Sequence, residues 1–284
     1  MSLEDANKNL EIFQGLIEHE KCNSYKGNLK VGVDLGTANV VISVVDEFNN
    51  PIAGVTSTSS FVRDGLVVDF IGAVETVRNL KLKIEKILGQ KITCASCAIP
   101  PGTQPADAKT IGNVLESSDI DVVNILDEPT AASLVLGIKD GAVVDVGGGT
   151  TGVSILKDGE VLYTADEPTG GIHMSLVIAG NYKISIEDAE ILKKDFKKEK
   201  DNFMLVQPVV EKMAHIVKRH LDGYIVKQIY VVGGACSFNE FEDVFERVTG
   251  IETVKPRWPL LVTPLGIAIG SIKWGENYGF RNAY

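Results

Sequence analysis

Two segments of this chain superpose without a gap at an offset of 111 residues, and that duplication limits the possible folds more than any other feature. "VGVDLGTANVVISV" starts at Val31 and "VVDVGGGTTGVSIL" at Val143; Asp34 aligns with Asp145, Gly36 with Gly147 and Ser43 with Ser154. Each copy is a β-branched run into Asp-x-Gly, a small polar turn, and a second β-branched run. One repeat of such a unit predicts two related lobes facing each other.

The residues after each turn decide what the glycines serve. In Rossmann and P-loop segments the glycines lead from a strand into a helix, whose N-terminus meets the phosphate. Here Val40–Val44 and Val153–Leu156 continue as strands, and neither glycine motif occurs. Each unit is therefore expected to be a tight β-hairpin whose tip offers unpaired N–H groups as an anion-binding nest. Two such tips could grip a polyphosphate from both sides. Gly147, Gly148 and Gly149 cost backbone entropy, so something must approach that tip closely. Asp34 and Asp145, just before the tips, would repel phosphate unless Mg²⁺ stood between, held through water. The alternative is two glycine-rich hairpins whose aspartates only stabilise their turns.

Charge and composition remove several function classes. A net charge of −10 argues against nucleic acid and anionic membranes as partners. The most apolar stretch, "LLVTPLGIAIGSI" from Leu260, is interrupted by Pro264 and two glycines and is too short to span a bilayer. Met1 opens onto acidic rather than basic residues, so no signal peptide is expected and the location is expected to be cytoplasmic. Four cysteines are too few for a disulfide scaffold. Cys94 and Cys97 have C-x-x-C spacing, but on a strand they point to opposite faces, so buried small hydrophobes are expected. His215 and His220 lie five apart, outside the spacing that shares a helix face, and no histidine metal site is expected.

Strands alternate with helices, which predicts an α/β fold. The expected organisation is an N-terminal arm over 1–28, a first lobe over 29–139, a second lobe over 140–263, and a C-terminal helix over 264–284 returning to the first. Leu10, Phe13 and Ile17 predict a short amphipathic helix in the arm, docked on the first lobe or, alternatively, kept for a partner. Helices are expected over 71–88, 106–117, 206–220 and 239–248. The lysine run from Lys193 to Lys200 reads as a solvated helix face.

With these residues in view, the chain resembles the actin/heat-shock-70/hexokinase ATPase superfamily, a duplicated ribonuclease-H-like fold. The two repeats resemble its phosphate loops, and "DEPTAASLVLGI" its first connecting helix. "IYVVGGACSFNEFEDVF" resembles the adenosine segment and "TPLGIAIGSI" the second connection, all in family order over 29–272. Within it the chain is most similar to the ethanolamine-utilisation chaperone-like (EutJ) family, through "RDGLVVDFIGAV", "ADEPTGGIHMSLVIAGN" and "VEKMAHIVKRHLDG". The resemblance implies ATP or ADP with Mg²⁺ in a cleft between two lobes. Asp34 would join the metal's water shell, Glu128 help position metal and water, and Asp145 orient or deprotonate the attacking water. Gly36, Thr37 and Ala38 would line the first phosphate turn, and Gly147, Gly148, Gly149 and Thr150 wrap the β- and γ-phosphates. Gly171, Glu190 and Lys193 would lie on the ribose side, with Gly233 and Gly234 as the adenine floor.

Departures from the pattern bear on turnover and base selectivity. Gly152 stands where heat-shock ATPases carry an aspartate, Ser237 where an arginine stacks on adenine, and no lysine matches the one that reaches the γ-phosphate. The adenine-side lobe is curtailed, with about 60 residues from Gly171 to Gly233, and no peptide-binding domain is expected after Tyr284. The leading expectation is an ATP-driven conformational clamp acting as chaperone or assembly factor in ethanolamine utilisation. Its protein client would be a degrading enzyme or a component of the microcompartment. Alternatives are a nucleotide-binding scaffold with little turnover, and a small-molecule kinase for which Asp107 offers a base.

Overall fold

The structure, a computed structural model, describes residues 2–59, 61–63 and 66–271. Helix α1 (Leu3–His19) opens with a capping box between Ser2 and Asp5 and buries Ala6, Leu10, Phe13 and Leu16. It is longer than the apolar spacing predicted and docks on the first lobe. A Cβ at Gly54 would lie 2.5 Å from the Phe13 ring, so glycine lets the helix lie flat on the strand beneath. Its reach extends further, because Asn7 Oδ1 accepts the Arg257 N–H at 2.9 Å.

Strands β1 (Lys30–Leu35), β2 (Asn39–Val45) and β3 (Pro51–Thr58) form an antiparallel meander. A two-stranded ribbon follows, β4 (Val62–Arg63) with β5 (Leu66–Val67), and then α2 (Phe70–Leu88), closed by Gly89 at φ 71°. Next come β6 (Cys94–Ile99), α3 (Pro105–Glu116), β7 (Asp121–Asp127) and α4 (Glu128–Leu136). The second lobe repeats the plan with β8 (Gly141–Val146), β9 (Thr151–Lys157) and β10 (Glu160–Glu167). After these run α5 (Gly171–Tyr182), α6 (Ile186–Lys193), α7 (Glu199–Leu221), β11 (Gln228–Val232), α8 (Phe241–Thr249), β12 (Glu252–Val254) and α9 (Val262–Ile269).

The two five-stranded sheets have orders β3-β2-β1-β6-β7 and β10-β9-β8-β11-β12, which are equivalent place by place. In both, the first three strands are antiparallel and the last two join in parallel. Register repeats as well. Asp34 faces Val41 and Asp145 faces Gly152, pairs related by the same offset as the sequence repeat.

The repeated serines anchor the helices that join the lobes. Ser43 on β2 donates to Pro264 O of α9 at 2.5 Å, and Ser154 on β9 donates to Asp127 Oδ1, the N-cap of α4, at 3.4 Å. α9 packs on α4, β1 and β2. A Cβ at Gly266 would overlap the Ala131 carbonyl, so the two helices cross backbone to backbone. The remainder of the C-terminal helix expected over 264–284 lies, from 272 on, outside the described residues.

Two strands, β3 after Asn49 and β10, were not anticipated, although Asp158-Gly159 (φ 54° and 84°) is a strong hairpin signal for the second. The lysine run is no single helix face. α6 ends at Lys193, a 3₁₀ turn spans Phe196–Lys198, and α7 begins at Glu199, because Asp195 caps the new turn by accepting the Lys197 N–H at 3.0 Å. Cys97 is buried in the first core and its thiol pushed up to about 12, while Cys94 is partly exposed on the opposite face.

Candidate functional site

At the tip between β1 and β2 lie Gly36, Thr37 and Ala38, and between β8 and β9 lie Gly147, Gly148, Gly149 and Thr150. The second tip closes on itself through Gly147 N–H to Thr150 O at 3.0 Å. Helix α5 holds it from behind. The Gly171 N–H donates to Gly147 O at 2.9 Å and the Ile172 N–H to Gly148 O at 2.8 Å, so two helix-terminal donors that would otherwise lack partners fix the loop. The N–H groups of Gly148 and Gly149 have no protein partner among the described residues and remain available to an anion.

Gly170, not singled out from the sequence, is tucked under this loop, where a Cβ would lie 2.7 Å from Gly149 C. Its signal was the Gly170-Gly171 pair opening a helix. At Gly148 a Cβ would come within 3.2 Å of the Thr37 side chain and 3.4 Å of Ala38. The missing side chain therefore clears the opposing tip as well as any ligand.

Between the tips opens a cavity of about 530 Å³, lined by Gly36, Gly147, Gly148, Gly149, Gly171, Gly233 and Gly234 together with Thr37, Ala38, Thr150, Glu128, Glu190, Lys193, Asp34 and Asp145. Asp107 is elsewhere, in a separate cavity of about 280 Å³ that it shares with Asp166. Gly233 sits at φ 90° against Asp145 and Val146, where a Cβ would overlap the Asp145 carboxylate. Lys193 spends its three donors inside the protein, on Gly171 O and Ser175 Oγ at 3.0 Å each and on Glu190 Oε2 at 2.5 Å. It thus braces α6 against the start of α5. Burial holds its ammonium below the ordinary value against the pull of Glu190.

Three carboxylates, Asp34, Glu128 and Asp145, line the cavity beside the tips, and a fourth, Asp166, lines the neighbouring one. Burial pushes Asp34 up to about 7, with Asp145 adding to the rise. Asp145 is pushed up to about 6 by burial, and the Thr263 hydroxyl, which donates to its Oδ2, works against that. Glu128 is held well above its usual range by burial and then by Asp145 and Asp34. The fourth, Asp166, was not anticipated. It stands opposite Gly152 on β10, and burial raises it to about 7 against a hydrogen bond from Thr150. Among the described residues no group of three or more acids, histidines or cysteines converges to hold a metal directly.

These elevations carry a stability signature. In the folded chain Asp34, Asp145 and Asp166 keep protons that the unfolded chain releases near pH 3.8. Their contribution is therefore fully present in acid and is lost as pH rises through 6 to 7. The ligand-free protein should melt at a lower temperature at about pH 8 than at about pH 5.5, with Asp166→Asn narrowing the gap. A melting temperature that instead rises over this interval would contradict the burial of these carboxylates.

Comparison with known proteins places this geometry. A family model described as Type IV pilus assembly protein PilM matches residues 135–256. Ethanolamine utilization protein EutJ of Salmonella typhimurium is 44% identical over 241 residues, covering 84% of this chain and 85% of that protein. The crystal structure of ethanolamine utilization protein EutJ from Carboxydothermus hydrogenoformans superposes with a TM-score of 0.89 at 46% identity, covering 94% of this chain and 98% of its own. MreB5 of Spiroplasma citri bound to ADP superposes with a TM-score of 0.69 at 17% identity, over 85% of this chain and 95% of its own. The architecture is the duplicated ribonuclease-H-like fold of actin-type proteins.

Proposed function

The chain belongs to the ethanolamine utilization protein EutJ family, and from that premise we propose that it is a Mg-ATP-dependent clamp that hydrolyses ATP and serves ethanolamine utilisation as a chaperone or assembly factor. One observation carries this reading: two symmetry-related tips with unpaired N–H groups meet across a cavity that also holds Asp34, Glu128 and Asp145.

The tips at Gly36–Ala38 and Gly147–Thr150 would receive the phosphates through backbone N–H groups. Asp34 and Asp145 fit a magnesium held through water, since two desolvated carboxylates with elevated affinity for protons favour any cation in that place. Magnesium would supply neutralisation of the phosphoryl oxygens. Asp145 orients the attacking water and accepts its proton, with Thr263 fixing the carboxylate's direction. Glu128, at the first residue of α4, links the state of the cleft to the connecting helix. Closure of two lobes over one triphosphate would present a moving surface to a protein partner, either an ethanolamine-degrading enzyme or a microcompartment component. No helix among the described residues is long and apolar enough to cross a membrane.

A second reading, a nucleotide-binding scaffold with little turnover, draws on Gly152. A Cβ there would meet Pro101 and Pro129 at 3.2 Å each, so a carboxylate at that position would need both prolines to give way.

Calorimetric titration with ATP, ADP and a non-hydrolysable analogue, with and without Mg²⁺, beside a phosphate-release assay, separates the two. The clamp predicts Mg-dependent binding and measurable release, whereas binding without release supports the scaffold. Gly148→Val should weaken Mg-ATP binding by about tenfold or more, since a branched Cβ pushes against Thr37 and Ala38 and spreads the tips. Unchanged affinity would show that this glycine serves the turn alone.

A further inference from the structure

We propose that Phe196 is the base-stacking platform of the cleft, an inference that rests on the nucleotide reading above. Phe196 is 79% exposed, the most exposed aromatic side chain among the described residues, yet it lines the main cavity. Its place along that cavity suits a nucleoside triphosphate. The triple-glycine tip bonds to Gly171, Gly171 to Lys193, and the Phe196 turn follows directly, so phosphate donors and an exposed aromatic ring occupy successive parts of one pocket. The Lys197 ammonium stands 5.9 Å from the centroid of that ring, so a base would stack on the face that Lys197 leaves.

The Ser237–Phe238 segment, which lines the same cavity, supplies no competing ring. Ser237 turns its hydroxyl back to Gly234 O at 2.8 Å, and Phe238 is 7% exposed and packed on Phe203 with centroids 5.4 Å apart. The platform is also held in place. Asp195 caps the 3₁₀ turn on which Phe196 sits. The next residue but two, Glu199, accepts from Asn239 N–H at 2.7 Å and from Asn239 Nδ2 at 2.9 Å, which ties the Phe196 turn to the segment after Ser237. A flat, pre-placed ring loses little entropy on meeting another π-system.

The test compares Mg-ATP with Mg-tripolyphosphate, which has the phosphates and no base, on wild type, Phe196→Ala and Phe196→Trp by calorimetry. Phe196→Ala should weaken ATP by about tenfold, in the range of aromatic–base stacking, and leave tripolyphosphate within about twofold. Phe196→Trp should keep ATP affinity and show indole quenching when ATP is added. The inference falls if Phe196→Ala leaves ATP affinity unchanged, or lowers ATP and tripolyphosphate alike, which would mark a structural role. Wild type that binds ATP in such a case keeps the nucleotide reading intact. Wild type that binds neither ligand, or tripolyphosphate alone, overturns the nucleotide reading and this inference together.

Discussion

Asp145→Asn should lower phosphate release from Mg-ATP by about 10²–10⁴-fold, the range for removing a positioned general base. The substitution is nearly isosteric, and its amide oxygen can still accept from Thr263, so the packing around this 5% exposed side chain survives. What disappears is the capacity to take a proton. At about pH 8 the wild-type carboxylate is ionised in a desolvated place, since its value is raised only to about 6. The neutral amide escapes that penalty, so the variant should melt no lower than wild type at that pH. Single-turnover phosphate release and a thermal melt measured together check both halves. Wild-type release from Asp145→Asn would remove this residue from the chemistry; a slow variant that also melts early would reduce the effect to misfolding.

Gly266→Ala carries the largest expected loss of stability. The added Cβ would coincide with the Ala131 carbonyl of α4, which is backbone and cannot rotate away. Either the helices separate or α9 lifts from β1, where Gly32 similarly leaves room for Ala268 N. We expect a cost of about 3 kcal/mol or more, at or above the upper end for overpacking, and a melting temperature lower by about 6 °C or more. Gly180→Ala is the matched control. Its Cβ meets nothing within 4 Å on α5, so the same chemical change should stabilise by about 0.5–1 kcal/mol. Equal effects at the two glycines would mean that the crossing of α4 and α9 is looser than described.

Much of the cleft could be read from the chain because the features that build it are local. An Asp-x-Gly turn followed by alternating Val and Ile specifies a hairpin and not a helix, and its repetition gives the second sheet the order of the first. Asp166 was hidden for the opposite reason. It reaches the other acids only through the pairing of β10 with β9, which sets it across from Gly152. Since β10 itself escaped notice, its exposed face giving no clean alternation, no spacing could announce that carboxylate. Lys193 was read two ways. Charge patterning marked it as solvated, whereas the family resemblance put it beside the cleft, and its amine turns inward onto Gly171 and Glu190 at the cavity wall.

By itself the sequence determined the backbone course at the two tips, the α/β class and which residues line the cavity between them. Those depend on φ freedom at glycine and on the two-residue period of strands, both properties of neighbours along the chain. Only the tertiary structure decided how far apart the tips stand, through the crossing of Gly266 with Ala131 and the clearance at Gly148. It alone decided, too, that Asp34, Asp145 and Asp166 hold their protons more tightly, because desolvation and carboxylate repulsion act through space between residues remote in the chain.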